Sequence, residues 1–262
     1  VTKLAQEAYQ RLSLGVRASH ILIKVSTFAA PDDTLRAYRA TLALRTELLE
    51  GRDFAEMAMR FSNDSITAPI GGDLGYFTAF QNLYPIENAA YQTPVGAISG
   101  PVRTQHGYHL IKVHDKRPTR GKVQVEHILL RMAPSASDAE QKNVKKNIEA
   151  IYQTLLNGAE WETVVRRHSE DVSSRNRGGL LAPFGTGERV RSFEEAAFAL
   201  KNVGDYSKPI QTPYGWHIVR LATKIPLPTY EAMATSLMQK VVTDSRGEVL
   251  KKRAYGQAKA SF

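Results

Sequence analysis

The residues able to do chemistry in this chain come in pairs. His20, Asp64, Thr104 and His109 recur as His127, Asp171, Thr212 and His217, at offsets of 107 residues for the first two and 108 for the last two. Histidines, a carboxylate and a hydroxyl can build a fixed hydrogen-bond network or, differently arranged, ligate a metal. The pattern speaks against a metal. There is no H-E-x-x-H, and His106 and His109 have H-x-x-H spacing on an expected strand, which would point them to opposite faces. The chain has no cysteine, so disulfides, thiolate nucleophiles and cysteine-based zinc sites are excluded. Gly71-Gly72 and Gly178-Gly179 do not lead a strand into a helix with Walker or Rossmann spacing and read as turns. No G-x-S-x-G elbow offers a serine nucleophile.

The pairing extends through an internal repeat. ASHILIKV (18–25) matches VEHILLRM (125–132), MRFSNDS (59–65) matches RRHSEDV (166–172), and GGDLGYF (71–77) matches GGLLAPF (178–184). IENAAY (86–91) then matches FEEAAF (193–198), and PVRTQHGYHLIKV (101–113) matches PIQTPYGWHIVRL (209–221). A common offset across five blocks means a duplicated domain of about one hundred residues, an ordinary domain size. The boundary is expected at KRPTRG (116–121), giving one copy over 16–118 and a second over 119–225, with an N-terminal helix over 1–15 and a C-terminal helical segment over 226–262.

Each copy should open on a short strand (20–25; 125–130), rich in β-branched residues and leucine. A long helix follows over 32–50 or 138–157; Val144, Ile148, Ile151 and Leu155 share one helical face, and Gly51 or Gly158 stands at its end. A second helix carries Phe54, Ala58 and Phe61, or Trp161, Val164 and Val165; a third covers 87–91 or 194–200, and two strands close the unit. The fold class is α+β: small sheets covered by helices. At the ends, Val1, Leu4, Ala8 and Leu12 share one face, as do Met233, Leu237, Val241 and Val242 ahead of the basic Lys251, Lys252 and Arg253. Neither helix has an apolar face large enough to stand alone.

Of the 262 residues, 42% are hydrophobic and 23% charged, which suits folded rather than disordered chain. The net charge of +9 is spread out, without the basic stripe interleaved with aromatics that nucleic acid would need. No apolar run approaches the roughly 20 residues of a membrane span, and the first residues do not read as a signal peptide.

The ordered set of blocks, present twice, resembles the parvulin family of peptidyl-prolyl isomerases. It covers roughly 17–117 and 122–224. The resemblance implies an antiparallel sheet with two facing histidines near the turn aspartate and a strand threonine: His20, Asp64, Thr104 and His109 in one copy, His127, Asp171, Thr212 and His217 in the other. It implies no cofactor. The chemistry fits the residues: rotation about X–Pro crosses about 18–20 kcal/mol, and lowering this by about 5.5 kcal/mol gives four decades of rate without any covalent step. The same histidines also fit a purely structural role, satisfying each other inside the sheet.

Family proline pockets present a Met and a Phe four residues apart and a Leu from the GGDL segment. The first copy has Leu74 but Asn82 and Ile86; the second has Leu181 and Phe193 but Arg189 in place of Met. Arg189 either lays its stem along the pocket with its head outward or points its guanidinium at a substrate carbonyl. The second copy is the expected active site. Lys142, Lys145 and Lys146 read as the solvated face of a helix. The resemblance further implies a bacterial periplasmic or envelope chaperone with tandem isomerase domains, of which this chain is the middle, binding unfolded or extended polypeptides such as outer-membrane proteins. Three functions stay open: an isomerase, a peptide-holding module with vestigial sites, and a scaffold docking one partner.

Overall fold

The computed structural model describes residues 1–251; Lys252, Arg253 and the rest of the expected C-terminal segment lie outside the described residues. The chain divides into a unit formed by 1–119 with the residues from Pro228 onward, and a second unit formed by 120–227.

In the first unit, α1 (Thr2–Leu12) runs directly into β1 (Leu14–Lys24), followed by α2 (Pro31–Leu49) and α3 (Phe54–Phe61). Then come β2 (Asp73–Phe77), α4 (Tyr84–Gln92), β3 (Val102–Thr104) and β4 (Gly107–Pro118). In the second unit β5 (Lys122–Arg131), α5 (Asp138–Leu156), α6 (Trp161–His168), α7 (Arg191–Ala199), β6 (Ile210–Thr212) and β7 (Gly215–Ile225) repeat the order. The strands exceed the sequence expectation because β1 and β4 pair without interruption of the sheet from Leu14–Pro118 to Lys24–Gly107, past one bulge at Arg17/Ala18. His106 is corrected: it stands in the turn between β3 and β4, not on a strand.

The sheets are antiparallel, ordered β2-β1-β4-β3 and β5-β7-β6. The second unit lacks a full counterpart of β2. In the first, Asp73 accepts from Arg17 (2.8 Å) and from the Gly75 amide (2.8 Å), holding the strand against β1. At the equivalent places stand Leu180 and Gln124, and only the Gln124 amide reaches across, to the Leu181 carbonyl. Isolated bridges remain at Glu126–Leu180 and Val123–Phe184.

Each sheet buries both faces. Ile21 and Leu110 pack under α2 and α3 with Leu44, Leu48, Phe54 and Met57; Val16, Ala18, Ile111 and Val113 pack against Phe77, Ile86 and Ala90. The second unit repeats this with Ile128 and Ile218 under α5 and α6, and Val123, Val125, Val219 and Leu221 against Phe184, Phe193 and Ala197. Strand alternation therefore puts His20 and His109, and likewise His127 and His217, on the face toward α4 or α7. The helices are capped as their sequences suggest: Asp53 accepts from the Glu56 amide, and Ser137 with Glu140 forms a reciprocal capping box.

The helices at the two ends solve each other's problem. Leu4 and Ala5 of α1 bury against Leu237 and Val241 of α8 (Tyr230–Thr243), with Phe80 and Tyr84 closing the cluster. Arg11 of α1 is buried too, against α4, beside the expected stripe of Val1, Leu4, Ala8 and Leu12. It donates to the wholly buried Glu87 at the head of α4 (3.0 Å), and Arg246, also wholly buried, donates to the same oxygen. The other Glu87 oxygen accepts from the Phe80 amide (3.0 Å). Phe80 has φ +71, a left-handed conformation costing a bulky residue about 1–2 kcal/mol, where the second copy has Gly187 (φ +76). Its ring is held under the Arg246 guanidinium, 4.3 Å from centroid to Cζ. Among the described residues, no helix is long and apolar enough to cross a membrane.

Breaking this buried triad should be costly at its anionic centre. Glu87→Gln removes the charge shared by two buried guanidinium groups and leaves Arg11 with Glu7 and Arg246 with Asp244 as their remaining partners, and a loss of about 3 kcal/mol is expected. Arg246→Met leaves Glu87 paired with Arg11 and should cost less. Urea unfolding followed by far-UV circular dichroism reads both variants; the fluorescence of Trp161 and Trp216, carried entirely by the second unit, is the internal reference. Equal costs for the two would contradict a counter-ion role for Glu87.

Candidate active site

His20 and His109 meet across the middle of the sheet because β1 and β4 pair with His20 opposite Ile111 and Leu22 opposite His109, a diagonal on one face. Their rings stack at 5.4 Å and 18°, with the two Nδ1 atoms 3.2 Å apart. In the second copy the same register on β5 and β7 stacks His127 and His217 at 5.5 Å and 22°, Nδ1 to Nδ1 3.3 Å. Behind each first-strand histidine stands the turn carboxylate: His20 Nε2 is 2.8 Å from Asp64, and His127 Nε2 is 2.8 Å from Asp171. Behind each partner stands the strand threonine: Thr104 Oγ1 is 2.8 Å from His109 Nε2, and Thr212 Oγ1 is 2.9 Å from His217 Nε2.

With His127 neutral, these contacts admit one consistent set of protons. A carboxylate only accepts, so His127 Nε2 carries a hydrogen and a neutral His127 must accept at Nδ1. His217 then donates from Nδ1 and accepts at Nε2 from the Thr212 hydroxyl. The result is a chain of donors running Thr212 to His217 to His127 to Asp171, with both of these rings uncharged; the first copy repeats the contacts from Thr104 through His109 and His20 to Asp64. Electrostatics agree. Burial, the largest cause, pushes His109 and His217 down to about 3. Burial also lowers His127, and the positive charge of Arg189 works in the same direction against the pull of Asp171. Burial alone would raise the Asp171 carboxyl, but hydrogen bonds from Ser174, His127 and Ser173 outweigh it and hold the group well below the usual range. Asp64 is lowered likewise by Thr67 and His20 against its burial.

Thr67 and Ser174 are the members that sequence reasoning overlooked. Thr67 donates to Asp64 (2.6 Å) and lies 3.0 Å from His20 Nε2; Ser174 donates to Asp171 (2.5 Å) and lies 3.2 Å from His127 Nε2. They are 107 residues apart, so the repeat offset carried the signal, but the hydroxyl had changed from Thr to Ser. Glu87 and Glu194 were also visible only as matching letters. Each accepts from the amide two residues before the pocket residue, Phe80 or Gly187, and so holds the loop that carries Asn82 or Arg189. The glycine pair is a matter of space: a Cβ on Gly72 or Gly179 would sit 2.2 or 2.3 Å from the carbonyl oxygen of His20 or His127. This lets the following segment lie against the histidine strand and present Leu74 or Leu181.

The mouths of the two sites differ. In the second copy a cavity of about 130 Å³ is lined by His127, His217, Thr212, Leu181, Arg189, Val190, Phe193 and Tyr214. The Phe193 ring stands edge-on to both imidazoles, 5.9 Å from His127 and 5.3 Å from His217 at 84° and 77°. Arg189 is exposed and takes the outward course, its guanidinium 5.4 Å from the Phe184 ring centroid. In the first copy His20, His109, Leu74, Asn82 and Ile86 line a trough of about 750 Å³, and Asp244 and Ser245 from beyond α8 line it too.

Comparison with known proteins agrees with this architecture. Residues 20–115 and 127–223 each match the rotamase PPIC-type PPIASE domain, and the chain belongs to that family. It is similar to the chaperone SurA of Nitrosococcus oceani, 32% identical over 208 residues, which is 78% of this chain and 48% of the relative. It is also similar to the chaperone SurA of Methylococcus capsulatus, 33% identical over 209 residues, 78% of this chain and 45% of the relative. The chain thus spans about half the length of the curated relatives it matches. Among solved structures, the peptidylprolyl isomerase PrsA from Bacillus anthracis is 29% identical over 47% of this chain and 50% of its own, with a TM-score of 0.37.

The neutral histidines set a pH dependence. Their folded values lie below the ordinary 6.5, so between pH about 3 and 6.5 the unfolded chain binds more protons and stability falls as pH falls. Each contributes up to about 1.4 kcal/mol per pH unit in that window; the lowered aspartates add to the loss only below about pH 4. The urea midpoint should drop between pH 7 and 4.5 while the His109 and His217 ring resonances show no titration step. A titration step near pH 6.5 in either ring would contradict the neutral chain.

Proposed function

We propose that this chain is a peptidyl-prolyl cis-trans isomerase and chaperone for unfolded or extended proline-containing polypeptide, with the second copy as its isomerase. The observation that carries the reading is the small apolar pocket of that copy, where Phe193 stands edge-on to a pair of neutral, fully hydrogen-bonded imidazoles. Leu181 and Phe193 would hold the proline ring, and His127, Asp171, Thr212 and His217 form the fixed polar floor beside it. A planar X–Pro amide is strongly dipolar, and the twisted amide loses resonance and dipole. A site that is apolar and carries no charge on its imidazoles therefore favours the twisted form over the planar one. The fixed hydrogen-bond chain needs no rearrangement as the bond rotates.

The first copy is proposed to hold polypeptide without useful turnover. Its His20, Asp64, Thr104 and His109 are arranged as in the second copy, but the trough is wide, Ile86 offers less surface than Phe193, and Asn82 would be desolvated by a covering ring. The similarity to chaperones supports clients that are not yet folded, outer-membrane proteins among them, and a place in the bacterial periplasm or envelope.

Exchange spectroscopy on an aromatic-Pro peptide tests this with the intact chain. Wild type should accelerate cis-trans exchange. Phe193→Ala removes the aromatic wall that stands edge-on to both imidazoles and should lower the rate by about tenfold, which corresponds to about 1.4 kcal/mol of barrier. Ile86→Ala should change the rate less than about twofold. Peptide shifts that show binding with no acceleration by wild type would replace the isomerase with a holding module.

A further inference from the structure

A guanidinium closes on the same three helix positions in both copies, and it comes from different places in the chain. In the second copy Arg120, just ahead of β5, reaches three residues of α7. It donates to Glu195 at 3.0 and 3.3 Å and to Glu194 at 3.4 Å, and its Cζ lies 4.1 Å from the Phe198 ring centroid. In the first copy Arg11 donates to Glu87 at 3.0 Å and to Asn88 at 2.7 Å, with its Cζ 5.0 Å from the Tyr91 ring centroid. Glu194, Glu195 and Phe198 stand 107 residues after Glu87, Asn88 and Tyr91.

The arginines themselves break the register. Arg120 follows Arg11 by 109 residues, and the residue 107 before it is Ser13. Arg11 stands on α1, whereas Arg120 stands on the connecting segment between β4 and β5. Two unlike stretches of backbone therefore deliver one group to one place. A guanidinium that is kept while its carrier changes marks a requirement of the frame.

That place leads to the pocket. Glu194 is 4% exposed, and the oxygen that does not face Arg120 accepts from the Gly187 amide at 2.7 Å. This bond fixes the loop whose Arg189 and Val190 line the cavity, and Phe193, the aromatic wall, is the neighbour of Glu194 on α7. A guanidinium beside a buried carboxylate offsets the cost of burying its charge, and a charged carboxylate is a strong acceptor for an amide. The planar fork spans both glutamates while its face rests on Phe198, a geometry that lysine cannot reproduce.

We propose that Arg120 is a positioning residue for the isomerase pocket of the second copy, acting through Glu194 on the Gly187 amide. This rests on reading that pocket as the isomerase site, and it deepens the reading by naming a residue outside the cavity that sets its shape. Arg11 does the same for the trough of the first copy.

The test uses the intact chain, with exchange spectroscopy on the aromatic-Pro peptide and the Gly187 amide followed in the same samples. Arg120→Gln should lower the exchange rate by about fivefold, the upper range for a partly exposed ion pair. It should also shift the Gly187 resonance and raise the hydrogen-exchange rate of that amide. Arg120→Lys should restore part of the rate. Arg220→Gln is the control: it breaks a 2.8 Å ion pair to Glu126, of similar exposure, on the sheet face that carries Trp161. It should lower the urea midpoint comparably and leave both the rate and the Gly187 amide as they are. In a Glu194→Gln background, Arg120→Gln should change the rate by less than about twofold, because its route is already cut. An unchanged rate or an unmoved Gly187 amide in Arg120→Gln, or an equal rate loss in Arg220→Gln, overturns the proposal. If wild type accelerates no exchange, the isomerase reading fails by itself, and peptide affinity by chemical-shift titration decides the clamp. Binding about fivefold weaker in Arg120→Gln, with the Gly187 amide moved, keeps it, and unchanged affinity overturns it.

Discussion

Everything at these two sites depends on one hydrogen bond, the one between the facing imidazoles at the centre of each sheet. Two histidines buried side by side are tolerable only if both are neutral and every ring nitrogen has a partner, because an unpaired buried nitrogen or an unshared charge would cost more than the sheet gains there. That condition propagates outward. One ring must have a carboxylate behind it and the other a hydroxyl, so the turn after α3 or α6 and the hairpin of β3–β4 or β6–β7 are held to the sheet by the same chain of donors. The polarity runs one way, from threonine to aspartate, and the hydroxyl of Thr67 or Ser174 completes the carboxylate's shell. The proposed catalytic floor and the structural clamp are the same set of atoms, so the two roles do not compete.

The duplicate copies show how much of such a unit is frame and how much is mouth. Donor chain, glycine pair and glutamate-held loop recur with distances that agree within a few tenths of an ångström. What differs is the residues facing a ligand: Ile86 against Phe193, Asn82 against Arg189, and the strand that Asp73 supports against the bridges that Leu180 leaves. The frame is over-determined by hydrogen bonds, so side chains at the mouth can change without moving it.

The first copy has spent its freedom on a different contact. Phe80 accepts a left-handed backbone that its counterpart meets with glycine, and the return is a ring that Arg246 covers and the α1–α8 cluster buries. Glu87, which in the second copy is satisfied by an amide and a longer contact to Arg120, here becomes the centre of an Arg11–Glu87–Arg246 triad. The loop and helix that border the pocket in the second copy have become, in this copy, the seat of α1 and α8.

Sequence by itself determined the duplication, the order of elements, the α+β class and which residues could form the two donor chains. Repeats and periodicity are local properties that survive in a string of letters. It also exposed the divergent pocket positions, since aligned copies reveal a missing aromatic or a new charge directly. Tertiary structure alone decided what depends on closure in three dimensions. The short strands lengthened because each finds a full-length partner, and His106 left the strand because the hairpin turns there. Arg11 and Arg246 carry no sequence signal of burial and are buried, because a carboxylate 76 residues from one and 159 from the other meets both. Thr67 and Ser174 entered the network for the same reason: a hydroxyl's partner is set by distance in space, which no spacing along the chain records.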